Sequence, residues 1–154
     1  MARSVPCVSC RTLSGELQPP GGIIYDHAHW VLFLRSRPLL TPGQGFIVLK
    51  RHCEDIATLT MEEAATLGEV MRRAAATYMQ VLAPERVHFG LDAEETRHVH
   101  LHVLPRYALF QPVISQLRFS APVTPCSRAS TFVVPSAMTR WHRLQKCCKQ
   151  VFAA

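Results

Sequence analysis

Three histidines occupy alternate positions of one stretch, at His98, His100 and His102. The positions between them are aliphatic, and strict alternation predicts a half-buried strand because successive side chains point to opposite faces. The three imidazoles would stand in a row on one face. Imidazole titrates near neutral pH and carries a basic nitrogen, so this row suits metal ligation, proton transfer or nucleophilic attack. The side chains expected in the core are Val99, Leu101 and Val103.

A pair of cysteines, Cys7 and Cys10, forms a second candidate site. This Cys-x-x-Cys spacing is typical of half a tetrahedral zinc site or of a redox dithiol. The redox alternative expects a preceding strand, whereas Pro6 precedes this pair, and the zinc alternative needs two further ligands downstream. His27 and His29 form another His-x-His pair, but no alternating strand frames them. We predict that they lie at the polar end of a hairpin.

The elements that must position these residues are five predicted strands and one helix. Apolar or alternating stretches predict strands at residues 23–25, 30–34, 45–49, 86–91 and from His98 onward. The helix lies between the third and fourth strands. Strand pairs joined by short turns indicate an antiparallel sheet, so the fold class is α+β.

The predicted helix begins at a capping box formed by Thr60 and Glu63. The Thr60 hydroxyl can accept from the Glu63 amide, and the Glu63 side chain can reach back to Thr60. The helix runs to about Leu82, because Pro84 stops it. Apolar residues at helical spacing predict one buried stripe, which we interpret as core: Ala64, Leu67, Met71, Ala75, Tyr78 and Leu82.

The 154-residue chain carries a net charge of +6, but this excess is confined to its last third. Residues 1–106 have 11 basic and 11 acidic side chains, whereas residues 107–154 have six basic and none acidic. The folded part therefore lacks the basic surface of a nucleic-acid-binding protein. We predict one domain at 1–106 and a proline-interrupted, poorly ordered extension at 107–154 that is dispensable for the chemistry.

Hydropathy and cysteine content also bear on the cellular setting. No apolar run is long enough for a transmembrane helix, and the first residues lack the apolar region of a secretory signal. We therefore expect a cytoplasmic protein, in which the six cysteines serve as metal ligands or free thiols and not as a disulfide framework.

Three segments together resemble the histidine-triad (HIT) superfamily of nucleotide hydrolases and transferases. They are residues 42–52, which end in Lys-Arg-His, the helix start at 59–64, and the histidine stretch at 98–103. Their order and spacing cover residues 7–106. The resemblance implies a HIT-like fold, with an antiparallel sheet of about five strands and one long helix, and it implies a homodimer.

The resemblance also implies a role for each histidine of the triad. His100 would be the nucleophile that attacks the α-phosphorus of a nucleotide ester, anhydride or phosphoramidate, and water would cleave the resulting nucleotidyl-histidine. His102 would lie near the phosphate and the leaving group, and His98 would complete the catalytic triad. In zinc-bearing members the metal lies beside the site, and the matching positions here form a closed structural Cys2His2 set: Cys7, Cys10, His52 and His98.

Two positions depart from the family pattern. Arg35 occupies the position of an aspartate that commonly holds the ribose, and Glu94 and Glu95 replace residues that commonly contact phosphate. Two alternatives to an enzyme of this type therefore stay open. One is a zinc-stabilised nucleotide-binding module without turnover, and the other is a catalytic metal held directly by the three strand histidines.

Overall fold

Five strands form one antiparallel sheet, and the chain order of the elements matches the order predicted from the sequence. The sheet consists of β1 (Ile23–Asp26), β2 (Trp30–Leu34), β3 (Gly45–Leu49), β4 (Arg86–Leu91) and β5 (His100–Arg106), in the spatial order β1-β2-β3-β5-β4. The helices are α1 (Val8–Leu13) and α2 (Met61–Leu82), with a 3₁₀ turn at Ile56–Thr58. The predicted α+β class and the five-stranded antiparallel sheet are confirmed.

The computed structural model describes residues 7–36, 41–91 and 95–108. All but the first two residues of the extension predicted at 107–154 therefore lie outside the described residues. Within the described segments, no helix combines the length and the apolar character needed to cross a membrane.

The main core lies between α2 and one face of the sheet. Trp30, which opens β2, is fully buried, and its indole Nε1–H donates to the carbonyl oxygen of Glu63 at 3.1 Å. Val99, Leu101 and Val103 lie in this core, as the alternation predicted. The remaining buried apolar members come from β1 to β3 and α2: Ile24, Tyr25, Leu32, Leu34, Ile47, Leu49, Val70, Ala74, Tyr78 and Leu82.

A smaller apolar cluster covers the opposite face of the sheet, beside the histidines. Val31, Phe33 and Val48 are buried there, and Leu13 of α1 and Phe46 of β3 pack against them. Because His100 is paired with Val48 and His102 with Phe46 in the β3–β5 register, the two imidazoles border this cluster. The short helix α1, which the sequence analysis missed, therefore helps to close the histidine face.

The predicted buried stripe of α2 is wrong at Ala64 and Ala75, whereas its other members are buried or pack against the core. Ala64 is exposed and Ala75 is only half buried, whereas the neighbouring Glu63, Val70 and Ala74 are buried. The helix faces the core differently because Glu63 is buried. Its carboxylate accepts a bidentate pair of hydrogen bonds from the Arg51 guanidinium. This pair and the Trp30 indole bond rotate the first turn of the helix toward Glu63.

The capping box of α2 forms as predicted and is continuous with the Arg51 pair. The Glu63 amide donates to the Thr60 hydroxyl at 3.2 Å, and the Thr60 amide donates to the Glu63 carboxylate at 2.8 Å. The Arg51 guanidinium and then the Thr60 amide hold the pKa of the Glu63 carboxyl at about 2, against an ordinary value of 4.5.

Glu63→Gln is expected to destabilise the fold by several degrees in its thermal midpoint at neutral pH, because Arg51 loses its anionic partner and the cap weakens. A carboxyl whose folded pKa is lowered stabilises above its ordinary value, and this contribution is lost as the pH falls from 4.5 toward 2. Acid unfolding of the variant should therefore depend less steeply on pH in that window. Glu62→Gln is the matched control, because Glu62 lies in the same turn with an exposed side chain. Equal stability of the two variants would contradict this assignment.

Candidate active site and metal centre

The His100 ring has a defined proton position. Its Nδ1 lies 2.6 Å from the backbone carbonyl oxygen of His98. A carbonyl can only accept, so Nδ1 carries the hydrogen and the neutral ring has its lone pair on Nε2. His100 is 8% exposed, so a basic imidazole nitrogen is held in a nearly buried position.

The second strand histidine, His102, is oriented by a residue that the sequence analysis did not assign. Gln44 is fully buried, and its side-chain amide Nε2 donates to Nδ1 of His102 at 3.4 Å. With Nδ1 accepting, the neutral His102 ring carries its hydrogen on Nε2. The signal was present in the sequence, because a polar Gln stands between Gly43 and Gly45 at the start of an apolar strand.

The two flanking glycines explain how Gln44 reaches this position. Gly43 adopts a φ of 82°, a left-handed conformation that other residues rarely take. At Gly45 a Cβ would lie 2.6 Å from the Tyr78 hydroxyl and 2.9 Å from the Phe33 carbonyl, so only glycine fits between helix and strand. Gly43 therefore allows the turn before Gln44, and Gly45 allows the close approach of Tyr78 and Phe33 after it.

The aromatic ring of Phe46 contacts the imidazoles of both His100 and His102. Its ring centre lies 5.6 Å from that of His100 and 4.9 Å from that of His102, with edge-on geometry in both cases. The two imidazole centres are 5.3 Å apart. The Phe46 ring therefore packs against both imidazoles on the histidine face of the sheet.

Four thiol and imidazole groups converge beside this site. Cys7, Cys10, His52 and His98 each offer one ligand atom, and these atoms all lie within 4.8 Å of one another. His98 Nδ1 lies 3.3 Å from Cys7 Sγ and 3.5 Å from Cys10 Sγ, and His52 Nδ1 lies 3.3 Å from Cys10 Sγ. A tetrahedral zinc with ordinary bond lengths places sulfur and nitrogen ligands about 3.5 Å apart, so the cluster has the size of such a site.

The surroundings of the four groups also suit a metal. The His98 Nε2–H donates to the Leu49 carbonyl at 2.7 Å, which leaves its Nδ1 lone pair facing the sulfurs. Burial lowers the pKa of the His98 imidazole, which favours the neutral ring that ligation requires. Burial, and then contact with Cys7, raises the pKa of the Cys10 thiol, and a bound cation would reverse that preference.

His98 therefore belongs to two sites at once. Its imidazole faces the cysteines, and its carbonyl oxygen orients His100. The prediction that the strand includes His98 is wrong, because β5 begins at His100 and His98 is fully buried before it. Ahead of the strand, the Val99 amide donates to the Cys53 carbonyl at 2.6 Å, and the Val99 carbonyl accepts from the Leu49 amide at 3.2 Å.

The geometry does not support the alternative of a metal held by all three strand histidines. In the described segments, the group capable of holding a metal is the cysteine–histidine cluster, which includes His98 but neither His100 nor His102. The other histidine pair, His27 and His29, lies at the turn between β1 and β2, as predicted.

The charged residues near the triad differ in where their side chains point. Lys50 pairs with Asp26, and Arg97 lies near Glu54, so neither cation is directed at the histidines. Glu95, which replaces a family phosphate contact, is exposed, and its neighbour Glu94 lies outside the described residues. The Arg35 guanidinium lies over the Phe46 ring, 5.7 Å from its centre.

Comparison with known sequences identifies one family and one curated relative. The HIT domain family model matches residues 16–109. An uncharacterized HIT-like protein of Methanocaldococcus jannaschii is 25% identical over 113 residues, which are 66% of this chain and 79% of that protein.

Comparison with solved structures finds the same fold. A zinc-bound histidine triad family protein from Mycobacterium smegmatis matches with a TM-score of 0.67 and 21% identity, covering 96% of each chain. A hypothetical histidine triad nucleotide-binding protein from Sulfolobus tokodaii matches with a TM-score of 0.66 and 16% identity, over 96% of this chain and 92% of that one. A HIT family hydrolase from Legionella pneumophila matches with a TM-score of 0.54 and 20% identity, over 69% of this chain and 97% of that one. The sequence match over most of the described residues and the shared five-stranded fold lead to one conclusion: the chain belongs to the HIT domain family.

Proposed function

We propose that the protein is a nucleotidyl hydrolase or transferase that acts at the α-phosphate of a nucleotide ester, anhydride or phosphoramidate. The observation that carries this proposal is the hydrogen bond from His100 Nδ1 to the His98 carbonyl. It fixes the ring in the tautomer whose Nε2 can act as a nucleophile. The names of two structural relatives, a nucleotide-binding protein and a hydrolase, support the same reaction class.

The first step would form a covalent intermediate on His100. Its Nε2 lone pair attacks the α-phosphorus, a nitrogen–phosphorus bond forms, and the bond from phosphorus to the leaving oxygen or nitrogen breaks. Positive charge develops on the imidazole, and the buried His98 carbonyl stabilises it through Nδ1–H. The leaving group departs with the electron pair of the broken bond and needs a hydrogen-bond donor.

We assign that donor role to His102. Its Nδ1 accepts from Gln44, so its Nε2–H is available to the leaving group or to a phosphoryl oxygen. In the second step, water attacks the same phosphorus and releases a proton to solvent, the nitrogen–phosphorus bond breaks, and its electron pair returns to Nε2 of His100. The product is a nucleoside monophosphate, and a different acceptor in place of water would give transfer.

The cysteine–histidine cluster is proposed to bind one structural zinc ion. Cys7 and Cys10 lie on or beside α1, whereas His52 follows β3 and His98 precedes β5. A metal held by all four would connect the amino-terminal helix to the sheet and restrain the His98 backbone. Four protein ligands leave no open position, so this ion would stabilise structure and take no part in the chemistry.

The proposed function is tested by a turnover screen with the purified protein. The substrates are adenosine and guanosine 5′-phosphoramidates and dinucleoside polyphosphates, with nucleoside monophosphate release measured by chromatography. Rapid quenching should trap a nucleotidyl adduct on the histidine peptide that contains His100, identified by mass spectrometry. Tight nucleotide binding without turnover of any substrate would contradict the proposed enzymatic activity and would favour a non-catalytic nucleotide-binding module.

A homodimer is the expected assembly. The edge strand β4 is exposed or half exposed along its whole length, and Leu91 retains 45% of its accessible surface. An unpaired edge of this kind is normally covered or paired. Light scattering at micromolar concentration is expected to give about twice the chain mass of 17.3 kDa. A mass equal to that of one chain under these conditions would refute the dimer.

A further inference from the structure

Arg35 follows the last residue of β2, on the histidine face of the sheet. It is half buried, and its guanidinium carbon lies 5.7 Å from the centre of the Phe46 ring. The same ring contacts both His100 and His102 by its edges. The guanidinium and the two imidazoles therefore contact the same aromatic side chain, which places a fixed positive charge at the border of the site.

This cation differs from several other arginines in the described segments. Arg11, Arg51, Arg73 and Arg97 each lie within ion-pair distance of a carboxylate. No described carboxylate lies within that distance of Arg35. The chain therefore places a half-buried guanidinium at the site without a described anion to neutralise it.

The contact with Phe46 also sets what Arg35 can bind. Stacking on an aromatic ring holds a guanidinium through its face and leaves its N–H donors available at its edge. These donors form a planar fork that matches phosphate oxygens in a bidentate manner. A neutral sugar hydroxyl would use one donor at most and would leave the charge uncompensated.

We propose that Arg35 binds a second phosphate group of the substrate, separate from the phosphate attacked by His100. This inference rests on the proposed function and narrows its substrate class to nucleotides with at least two phosphates. The second phosphate can come from two sources, the anhydride chain beyond the reacting phosphorus or a phosphate ester on the ribose. Both present anionic phosphoryl oxygens to the guanidinium, singly charged on an internal anhydride phosphate and close to doubly charged on a ribose phosphate ester.

The test compares three adenosine substrates in wild type and Arg35→Ala. Adenosine 5′-phosphoramidate has one phosphate, diadenosine tetraphosphate extends the anhydride chain, and 3′-phosphoadenosine 5′-phosphoramidate adds a ribose phosphate. The variant should lose about 10- to 100-fold in kcat/KM on at least one substrate with a second phosphate. It should change less than about threefold on adenosine 5′-phosphoramidate, because charge at a distance is screened. Loss only on the tetraphosphate identifies the chain as the source, and loss only on the 3′-phosphate identifies the ribose.

Two further variants separate geometry from charge. Arg35→Lys keeps the charge but not the fork, so its kcat/KM should fall between those of wild type and Arg35→Ala. Arg72→Ala removes the same charge from an exposed position on α2, the helix that covers the other face, and should match wild type on all three substrates. An equal loss on all three substrates in Arg35→Ala, or no loss on any, would overturn the proposal.

A binding measurement separates this inference from the proposed reaction. If the wild type turns over none of the substrates, the proposed function fails, but calorimetry with adenosine 5′-monophosphate, 5′-diphosphate and 3′,5′-bisphosphate still tests Arg35. Preference for a bisphosphate or diphosphate over the monophosphate by at least about tenfold, lost in Arg35→Ala, supports the second phosphate site. Equal affinities in wild type overturn it.

Discussion

His100→Ala is expected to lower kcat by roughly 10⁴-fold or more, because removal of a covalent nucleophile eliminates the main reaction path. The residual rate would come from substrate positioning alone. The nucleotidyl adduct should also disappear in rapid-quench experiments. Single-turnover kinetics with the most active phosphoramidate or polyphosphate measures both effects.

The control must separate lost chemistry from lost structure. His100 is 8% exposed and packs against Phe46, so alanine at this position leaves a cavity. A second variant, His100→Asn, partly fills that cavity. Both variants should keep the circular dichroism spectrum of wild type, and both should be inactive. His88→Ala removes an exposed imidazole from β4 and should retain full activity. A His100 variant that retains turnover, or an adduct that persists in it, would exclude His100 as the nucleophile.

Much of the fold could be predicted because local and tertiary preferences agree. The five strands follow the hydrophobic pattern, and the capping box at Thr60 and Glu63 marks the start of α2 to the residue. The phase of the helix could not be predicted, because a glutamate counted as polar is buried by its bond to Arg51. A partner that is distant in the sequence decides the orientation of the first turn.

The candidate metal centre could also be expected before the structure, because the spacing of Cys7 and Cys10 is typical of half a zinc site and the family resemblance implied His52 and His98 as the other two ligands. The position of His98 could not be predicted from the alternating pattern. The alternation of apolar and polar residues predicts a strand that includes His98. In the structure, the Val99 amide donates to the Cys53 carbonyl, and the His98 ring donates to the Leu49 carbonyl. These non-local bonds hold the His98 imidazole with its Nδ1 beside the sulfurs of Cys7 and Cys10.

The short helix α1 could not be predicted from the sequence at all. Its six residues have no side-chain cap, and a helix of that length is not stable in isolation. Contacts made after folding hold it in place, through Leu13 on the sheet and through Cys10 near His52 and His98. No local pattern predicts an element whose stability comes from the sheet and the cysteine–histidine cluster.

Removal of the proposed zinc is therefore expected to have the largest effect on stability. A ligand present at about 1,000 times its dissociation constant stabilises the folded state by about 4 kcal/mol. For a chain of this size, a chelator should lower the thermal midpoint by on the order of 10 °C. Metal analysis of the untreated protein should find one zinc per chain. Calorimetric scans with and without chelator measure the shift.

Two cysteine variants decide whether the effect belongs to the cluster. Cys10→Ser removes one of four ligands, so it should contain less zinc and should unfold at a midpoint that chelator no longer changes. Cys53→Ala is the matched control, because Cys53 is buried outside the cluster, with its Sγ 3.0 Å from the Thr58 hydroxyl. It should keep its zinc and its full response to chelator, although its own midpoint is lower. A wild-type protein that is metal-free and unaffected by chelator would exclude a structural zinc. In that case hydrogen bonds of the segment around His98, to Leu49, Cys53 and Thr96, would hold its carbonyl in place.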